Sequence, residues 1–292
     1  MLDSLEISQA CKWLCWQDEL SEDHLALATA CEADVTLCTI VGITGSFSRR
    51  LGAQLACHAN DGIVGNLSDG CLEQQLASDS HAALTAEVRR YGSGSPLIDF
   101  RLPCGGGLDI LIDPAPDRAA CRSAIASLRA RRPASLALPP NGLLAQRSYI
   151  PALRIRVFGD TAELAPFISI AQAANICVEG FDKRSLALGR ASGLGRVDPW
   201  TAVVMLFHDH EWEYALLEEA LDGEPFYVGA QGGSLARARR QDEMRRRGCN
   251  EARLGRIRSP IGLSPASRTP QALAISILAE IMDEYERLHT VS

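Results

Sequence analysis

From Arg154 onward, strand-like and helix-like segments alternate regularly, and this rhythm constrains the fold more than any other feature of the sequence. Strands are predicted in RIRVFGD, ICVEGFD, TAVVMLFHDH and PFYVGAQ, and helices in TAELAPFISIAQAA, EWEYALLEEALDG and SLARARRQDEMRRRG. Such an alternation predicts a parallel sheet with helices on both faces. The chain then closes on a further helix, for which Thr269 is the predicted N-cap and Pro270 the first helical residue.

The first half of the chain has a mixed pattern of helices and strands. Helical spacing covers residues 3–33 and 71–90, where Leu72, Leu76, Leu84 and Val88 fall on one stripe, and a third helix runs from Asp117 to about Arg131. Strands are predicted at 35–45, at 53–59, from Ile63 after an Asp61-Gly62 turn, and in SPLIDFRL and LDILIDP. This half therefore predicts a mixed α/β domain.

A proline-rich segment, RRPASLALPPNGLLAQRSYIPAL, separates the two patterns, and we place the domain boundary near 146–153. The predicted fold class is α/β, with an N-terminal mixed α/β domain at 1–148. A Rossmann-like domain with a parallel sheet is predicted to follow at 153–292.

Composition excludes several classes of protein. The 292 residues carry a formal net charge of -7, which argues against a nucleic-acid binder. The N-terminus lacks the pattern of a signal peptide, and no apolar run is long enough to span a membrane, so we expect a cytoplasmic protein. The ten cysteines include no Cys-x-x-Cys pair and are expected to be reduced, with Cys31, Cys38, Cys57 and Cys177 buried in apolar surroundings.

The stretch GNLSDGCLE at 65–73 places a thiol at the start of a helix, behind a loop of small residues. Ser68 or Asp69 is positioned to cap this helix, which leaves the N–H groups of its first turn pointing outward. Such a helix end binds anions, and the same field favours the thiolate form of Cys71. The alternative is that Cys71 is only a small residue at a helix start and the loop only a turn.

Two further loops of this domain carry similar features. In RLPCGGGLDILIDP, Cys104 is followed by Gly105 and Gly106, and consecutive glycines are typical where another group approaches the backbone closely. The loop TGSFSRRLG offers Ser46 and Arg49. A glycine bulge and a solvated loop are the structural alternatives. Together, the three loops suit a ligand that combines a phosphate with soft metal or sulfur chemistry.

In the second domain, the loop after the first predicted strand lacks the glycines of a dinucleotide site. Only Gly159 is present, and Asp160 follows it, although Asp182 stands where a ribose-binding acid would lie. His208 and Asp209 belong to a His-Asp-His trio at the end of a later strand, which is compatible with a metal site. The alternative is that His208 and Asp209 cap the following helix.

Across nearly its whole length, the sequence resembles the XdhC/CoxI family of accessory proteins for xanthine dehydrogenase and related molybdenum hydroxylases. The N-terminal motifs are GSFSR with LGAQL, SDGCLE and PCGGGLDILIDP, and the C-terminal motifs are FHDHEWE, FYVGAQGG and SPIGLSPASRTPQALAISILAEI. The resemblance implies a chaperone that binds the molybdenum cofactor (molybdopterin), holds it during sulfuration and delivers it to a xanthine dehydrogenase-like molybdoenzyme. It also implies a cysteine desulfurase partner and a homodimer.

By the same resemblance, Cys71 and Cys104 are the principal cofactor-binding residues, and Cys71 is a candidate molybdenum contact. The other implied cofactor-binding positions lie in the same motifs and in the second domain: Ser68, Asp69, Gly70, Glu73, Gly105, Gly106, Ser46, Arg49, Gly159, Asp160, Asp182, His208 and Asp209. The chain departs from the family pattern at Asp69, where a glycine is usual, and at Gly159-Asp160-Thr161, where a Gly-x-Gly loop is usual. The basic run that the family carries after the last parallel strand is also weakened here.

Two other functions remain open at this point. The second domain fits an NAD(P)-dependent oxidoreductase by its alternation of strands and helices, but the missing glycines make NAD(P) binding an unfavoured prediction. Cys71 also suits a thiol-based sulfur transferase.

Overall fold

The structure is a computed structural model that describes residues 20–60, 62–68, 70–96, 105–264 and 267–289. It divides into two compact units, Glu19–Pro151 and Ala152–His289. The predicted strand SPLIDFRL lies outside the described residues apart from its first two positions, as do Asp69, Cys104 and the helical pattern before residue 20.

The N-terminal unit is built on an antiparallel sheet of five strands in the order β3-β2-β1-β5-β4. Its strands are β1 (Val35–Thr44), β2 (Gln54–His58), β3 (Ile63–Val64), β4 (Glu87–Gly92) and β5 (Gly107–Asp113). Its helices are α1 (Glu22–Thr29), α2 (Cys71–Ala82) and α3 (Arg118–Arg129), and a hairpin of β6 (Ala134–Ala137) and β7 (Gln146–Tyr149) completes the unit.

Helices cover both faces of this sheet because the buried residues of β1 alternate between them. Cys38 and Ile40 belong to a core that includes Leu72 and Leu76 of α2. On the opposite face, Leu37 belongs to a core shared with α1, α3 and the β6–β7 hairpin. The predicted mixed α/β domain is therefore confirmed.

One predicted element of this unit is wrong: the helix expected over 71–90 ends at Ala82, and residues 87–92 form β4. Leu84, which the helical stripe placed in the core, is 93% exposed. The backbone turns extended at Ala83, and the following segment pairs with β5 instead, with Arg90 opposite Asp109. Pairing with an open sheet edge satisfies the backbone of this segment and overrides its helical spacing.

The C-terminal unit has the predicted parallel sheet, in the order β12-β11-β10-β8-β9. Its strands are β8 (Arg154–Gly159), β9 (Cys177–Asp182), β10 (Thr201–Leu206), β11 (Tyr227–Ala230) and β12 (Ile257–Arg258). Its helices are α4 (Thr161–Ala173), α5 (Glu213–Asp222), α6 (Ser234–Arg246), α7 (Glu251–Leu254) and α8 (Pro270–Glu286). The hydroxyl of Thr269 accepts a hydrogen bond from the Ala272 N–H, which confirms the predicted cap of α8.

The central strand β10 is buried at all six positions, as expected for a parallel sheet covered on both faces. Val203 and Met205 belong to a core with Leu216, Leu217 and Met244 from α5 and α6. Within the described part of the chain, every helix falls short of the length and apolar character that crossing a bilayer would require.

Candidate functional site

The three candidate loops of the N-terminal unit meet at one end of its sheet. Thr44, the last residue of β1, lies opposite Gly107, the first residue of β5, and Gly107 in turn lies opposite Gly92 of β4. Strand β2 is antiparallel to both β1 and β3, so β3 runs in the same direction as β1. The loop after β3 therefore leaves the sheet at the same end as the loop after β1. We call this end, with residues 45–53, 65–68, 70 and 105–106, the loop edge.

Two of these loops lie side by side, and each contains a glycine in the left-handed region. Gly45 has a φ of 82°, and a Cβ added there would lie 3.5 Å from the Cα of Gly106. Gly105 has a φ of 69°, in the left-handed region that favours glycine. Gly105 therefore has a backbone conformation that favours glycine, whereas a Cβ added there would meet no atom of the described residues within 4 Å. The close approach predicted for the glycines after Cys104 stays a prediction, and Cys104 itself lies outside the described residues.

Arg49 ties the first loop to the second. Its Nε donates to the carbonyl oxygen of Asn66 at 3.0 Å, and its Nη2 donates to the Oδ1 of Asn66 at 3.0 Å. Ser46 lies in the same loop and is exposed. The guanidinium is thus held next to the loop that precedes Cys71, and it brings a positive charge to the loop edge.

The loop before α2 is organised by Glu73, and Ser68 is not the N-cap; Asp69, the other candidate, lies outside the described residues. Gly70 occupies the N-cap position, with a φ of 96°, and no side chain caps the helix there. The Glu73 carboxylate instead accepts hydrogen bonds from the N–H groups of Leu67 at 2.8 Å, Ser68 at 2.5 Å and Gly70 at 2.8 Å. Glu73 is only 7% exposed, so its charge is satisfied by the backbone of its own loop.

This arrangement defines which donors face outward. The loop N–H groups bonded to Glu73 point inward, and the first bond of the helical ladder runs from the Gln74 N–H to the Gly70 carbonyl. The N–H groups of Cys71 and Leu72 precede that ladder, at the positive end of the α2 dipole. The N–H groups that an anion could reach at this loop are therefore those of the first turn of the helix, because those of the preceding turn are bonded to Glu73.

Cys71 is the first residue of α2, and its side chain is exposed. The other cysteines in the described part of the chain are buried or half-buried; Cys38 and Cys57 are buried as predicted, whereas Cys31 and Cys177 are half-buried. Burial raises the pKa of the Cys121 thiol to about 11 and also raises the pKa of Cys31 and Cys249. Cys71 is therefore the accessible soft ligand among the described cysteines.

A polar cluster under the loop edge was missed by the sequence reasoning. Arg90 of β4 donates to the Asp109 carboxylate at 2.8 Å, to the Thr44 hydroxyl at 2.9 Å and to the Ser93 carbonyl at 2.9 Å. A Cβ at Gly107 would lie 2.5 Å from the Ser93 carbonyl oxygen, a backbone atom, so this position requires glycine. This cluster depends on the register that places Arg90 opposite Asp109, which no local pattern in the sequence contains.

The second domain has a switch point between β8 and β10, where open α/β sheets bind ligands. Asp160, at the start of α4, fills part of this position: its carboxylate pairs with the Lys183 Nζ at 2.9 Å and accepts from the His208 N–H at 3.0 Å. Burial alone would raise the pKa of Asp160, but these partners outweigh it and hold the pKa below its ordinary value. A carboxylate therefore occupies the helix end that would bind a pyrophosphate.

His208 and Asp182 are both engaged within the domain. The His208 Nε2 lies 2.7 Å from the Glu163 carboxylate. Asp182 ends β9 and pairs with the Arg184 side chain. Burial tends to raise the pKa of Asp182, and the hydrogen bonds and charge of Arg184 lower it overall. Gly159 packs against the Leu206 carbonyl, which a Cβ would approach to 2.6 Å.

The His-Asp-His trio does not form a metal site in the described structure. Asp209 caps a short 3-10 helix by accepting from the Glu211 N–H, so its local role matches the structural alternative. His210 pairs with the buried Glu213, away from His208, which pairs with Glu163. Within the described ranges no cluster of three His, Cys, Asp or Glu side chains could hold a metal ion.

Fold and loops together define a class: an α/β protein whose antiparallel domain presents a thiol at a glycine-rich loop edge, joined to a Rossmann-type domain. Residues 28–92 match the XdhC and CoxI family, and residues 155–281 match the XdhC Rossmann domain. The chain is 30% identical over 298 residues to the molybdenum cofactor insertion chaperone PaoD of Escherichia coli (strain K12), a match that covers 92% of this chain and 91% of that protein. The chain belongs to the XdhC/CoxI family.

The fold is also similar to a solved structure. A crystal structure described as a xanthine dehydrogenase from Bacillus halodurans superposes with a TM-score of 0.70 at 18% identity, over 93% of this chain and 97% of that one. At this level of identity the similarity concerns the fold alone.

Proposed function

We propose that this protein binds the molybdenum cofactor at the loop edge and delivers it, after sulfuration, to a xanthine dehydrogenase-type molybdenum hydroxylase. The observation that carries the proposal is the exposed Cys71 at the N-terminus of α2, next to loops joined by Arg49. The similarity to a molybdenum cofactor insertion chaperone supports it.

The chemistry of the loop edge fits molybdopterin, which carries a phosphate and a dithiolene-bound metal. The helix N–H groups of Cys71 and Leu72 and the Arg49 guanidinium would hold the phosphate. The Cys71 sulfur would contact the molybdenum or relay sulfur, since soft ligands suit this chemistry. The cofactor would also contact other residues of the loop edge: Ser46, Ser68, Gly70, Gly105 and Gly106. Cys104 and Asp69 are the further residues that the family motifs imply.

Glu73 has an indirect role in this proposal. Its carboxylate faces the loop backbone and not the loop exterior, so it would hold the cofactor loop in shape without touching the ligand. In the second domain, the switch point would be closed to pyrophosphate by the residues around it: Gly159, Asp160, Asp182, His208 and Asp209. The partners we propose are a xanthine dehydrogenase-like molybdoenzyme, a cysteine desulfurase and a second copy of this chain, in the cytoplasm.

A sulfur transferase acting through Cys71 is the second candidate, because the exposed thiol suits a persulfide as well as a metal contact. Incubation with a cysteine desulfurase and cysteine distinguishes the two functions. A persulfide on Cys71 without bound molybdopterin would favour the transferase.

The proposal is tested by purifying the full chain from cells that make the cofactor and assaying bound molybdopterin and molybdenum. We expect both in near-stoichiometric amounts, and we expect activity to appear when the loaded protein is mixed with an apo-form of a xanthine dehydrogenase-type enzyme. Protein that is free of molybdopterin under these conditions would overturn the proposal.

A further inference from the structure

A cavity of about 490 Å³ runs along β12, at one edge of the parallel sheet. All six residues from Gly255 to Pro260 line it, so it follows this strand along its whole length. The other lining residues come from β11 and the two positions before it, from α6 and from α8: Pro225, Phe226, Val228, Arg237 and Glu280. We call this cavity the edge groove.

The edge groove lies between helices that cover opposite faces of the sheet. Met244 of α6 and Val228 of β11 belong to one core, whereas Glu280 of α8 accepts a hydrogen bond from the Tyr227 hydroxyl at 2.7 Å. Successive residues of a strand point to opposite faces, so α6 and α8 lie on the two sides of β11. The groove between them is therefore open along the outer side of β12.

The outer side of β12 offers unpaired backbone groups to the groove. This strand pairs with β11 through Ile257 and Arg258, and no strand of the described ranges pairs with its other side. An edge strand presents N–H and C=O groups on the side that has no neighbour. Such groups are a template to which an extended peptide can add as one more strand.

Guanidinium groups determine the charge of the edge groove. Its lining holds Arg237, Arg256 and Arg258 against one carboxylate, Glu280. Arg258 pairs with Glu280 and Glu284. In the part of the chain that the structure describes, no carboxylate pairs with Arg237 or Arg256, and the contacts of Arg256 are backbone carbonyls at 3.3–3.5 Å. A chain with a net charge of -7 thus has a local excess of positive charge at this edge.

We propose that the edge groove binds an extended acidic segment of a partner protein, which adds as a strand to the outer side of β12. Backbone hydrogen bonds to the edge strand supply affinity, and carboxylates that reach Arg237 and Arg256 supply specificity. Charged side chains at a sheet edge discourage pairing with strands in general, whereas arginines favour a strand of opposite charge. This inference goes beyond the proposed function, because it concerns a partner protein and not the cofactor.

Fluorescence anisotropy of the full chain with a labelled peptide in which glutamate and valine alternate tests the charge. We expect saturable binding, and no binding of the matching lysine–valine peptide. Arg237→Glu should weaken binding at least about tenfold, because it places like charges together. Arg239→Glu is the matched control: Arg239 is exposed on the same helix but does not line the groove, and its change alters the net charge equally. No saturable binding, or equal effects of the two variants, would overturn the inference.

A second peptide tests strand addition. The glutamate–valine peptide with N-methyl groups on alternate backbone nitrogens keeps its charges but loses the donors that a strand needs, so we expect it not to bind. The unmodified peptide should slow hydrogen–deuterium exchange in residues 255–260. If the N-methylated peptide binds as well as the unmodified one and pyrophosphate displaces both, the groove is a site for small anions and the inference is wrong.

Molybdopterin content separates this inference from the proposed function. Arg237 lies on α6, outside the loop edge, so Arg237→Glu purified from cells that make the cofactor should keep the wild-type content while it loses the peptide. That pair of results would support the inference. An absence of molybdopterin from wild type and variants alike, with peptide binding intact, would count against the proposed function only.

Discussion

At the residue scale, the loop before Cys71 depends on one buried carboxylate. The Glu73 carboxylate accepts hydrogen bonds from three backbone N–H groups of the loop, and these bonds fix where α2 begins. The accessible thiol is thus placed by a neighbour two residues away that is nearly inaccessible itself. A loop held in this way is preorganised for a ligand, which reduces the entropy lost on binding.

We expect Glu73→Gln to destabilise the N-terminal unit by about 2 kcal/mol, since hydrogen bonds to a charged acceptor contribute about 1.5–3 kcal/mol. The side-chain amide introduced at position 73 would also point its own N–H donors at the backbone N–H groups of the loop, which cannot accept a hydrogen bond. Urea unfolding measures the change. Glu87→Gln, at an exposed carboxylate on β4, is the control and should change stability by less than about 0.5 kcal/mol. Equal effects of the two variants would contradict the role given to Glu73.

His24 makes the N-terminal unit sensitive to pH. Its ring is fully buried, the Nδ1 accepts from the Ser21 N–H at 3.2 Å, and the Nε2 lies 2.9 Å from the Ile150 carbonyl. Both contacts are satisfied by the neutral ring with its proton on Nε2. Burial is the main cause that lowers the pKa of His24 below its ordinary value of 6.5.

A lowered histidine pKa means that the unfolded chain binds the proton more readily than the folded one. The stabilising contribution is therefore complete above pH 6.5 and is lost as the pH falls below it, by at most about 1.4 kcal/mol per pH unit. Unfolding free energies at a series of pH values between neutral and mildly acidic measure the slope. His24→Gln should flatten it, and a variant with the wild-type slope would show that His24 is not the cause.

At the element scale, a buried ion pair joins α5 to α6 in the C-terminal unit. The Arg240 Nε donates to the Glu213 carboxylate at 2.7 Å, and both side chains are buried. Arg240 also donates to the Ser259 hydroxyl at 2.9 Å and to the Gln231 carbonyl at 2.6 Å. One side chain thus links the loop after β11 to the residue after β12.

Arg240→Met should cost about 3–5 kcal/mol of stability, because it leaves the Glu213 charge buried without its main partner. The double variant Arg240→Met with Glu213→Leu removes both charges. We expect it to be more stable than the sum of the two single changes predicts, with a coupling of about 2 kcal/mol in a double-mutant cycle. Additive effects would show that the two side chains act independently.

The elements that sequence reasoning predicted well are those with one dominant signal. The parallel domain was predicted from its apolar strands, which are followed by amphipathic helices. The strand β4 was missed because Leu84 and Val88 continue the helical stripe of α2, whereas only Val88 belongs to β4 and Leu84 lies in the turn before it. The β6–β7 hairpin was not predicted, because it lies in a proline-rich segment and its short strands have no pattern that distinguishes them from a linker.

For the candidate site, the sequence predicted the participating loops but not their internal bonds. The glycines, Cys71 and Arg49 were singled out because each has a local signature. The role of Glu73 and the Arg90–Asp109 pair depend on strand register and on where a loop turns, which local patterns do not contain.

At the scale of the whole molecule, the two domains offer different chemistry. The N-terminal unit presents a thiol and a guanidinium at its loop edge. In the C-terminal unit, the switch point holds Asp160 and Glu163 against Lys183 and His208. Because a carboxylate already stands at the start of α4, we expect the Rossmann-type fold here to disfavour a dinucleotide pyrophosphate.

We therefore expect the full chain to show no saturable binding of NADH or NADPH in a fluorescence titration at neutral pH. Ionised Asp160 repels the pyrophosphate, and its lowered pKa keeps it ionised across that range. Saturable binding of NADH or NADPH that is displaced by NADP would contradict this account of the second domain.

The central claim is that the loop edge holds molybdopterin through Cys71, and one comparison tests it most directly. The molybdopterin content of Cys71→Ala is measured beside that of Cys31→Ala, a change at a half-buried thiol of the same unit, after purification from cells that make the cofactor. We expect at least about a tenfold lower content in Cys71→Ala, a loss of roughly 1.4 kcal/mol or more in binding, and wild-type content in Cys31→Ala. Equal content in the two variants would contradict the claim.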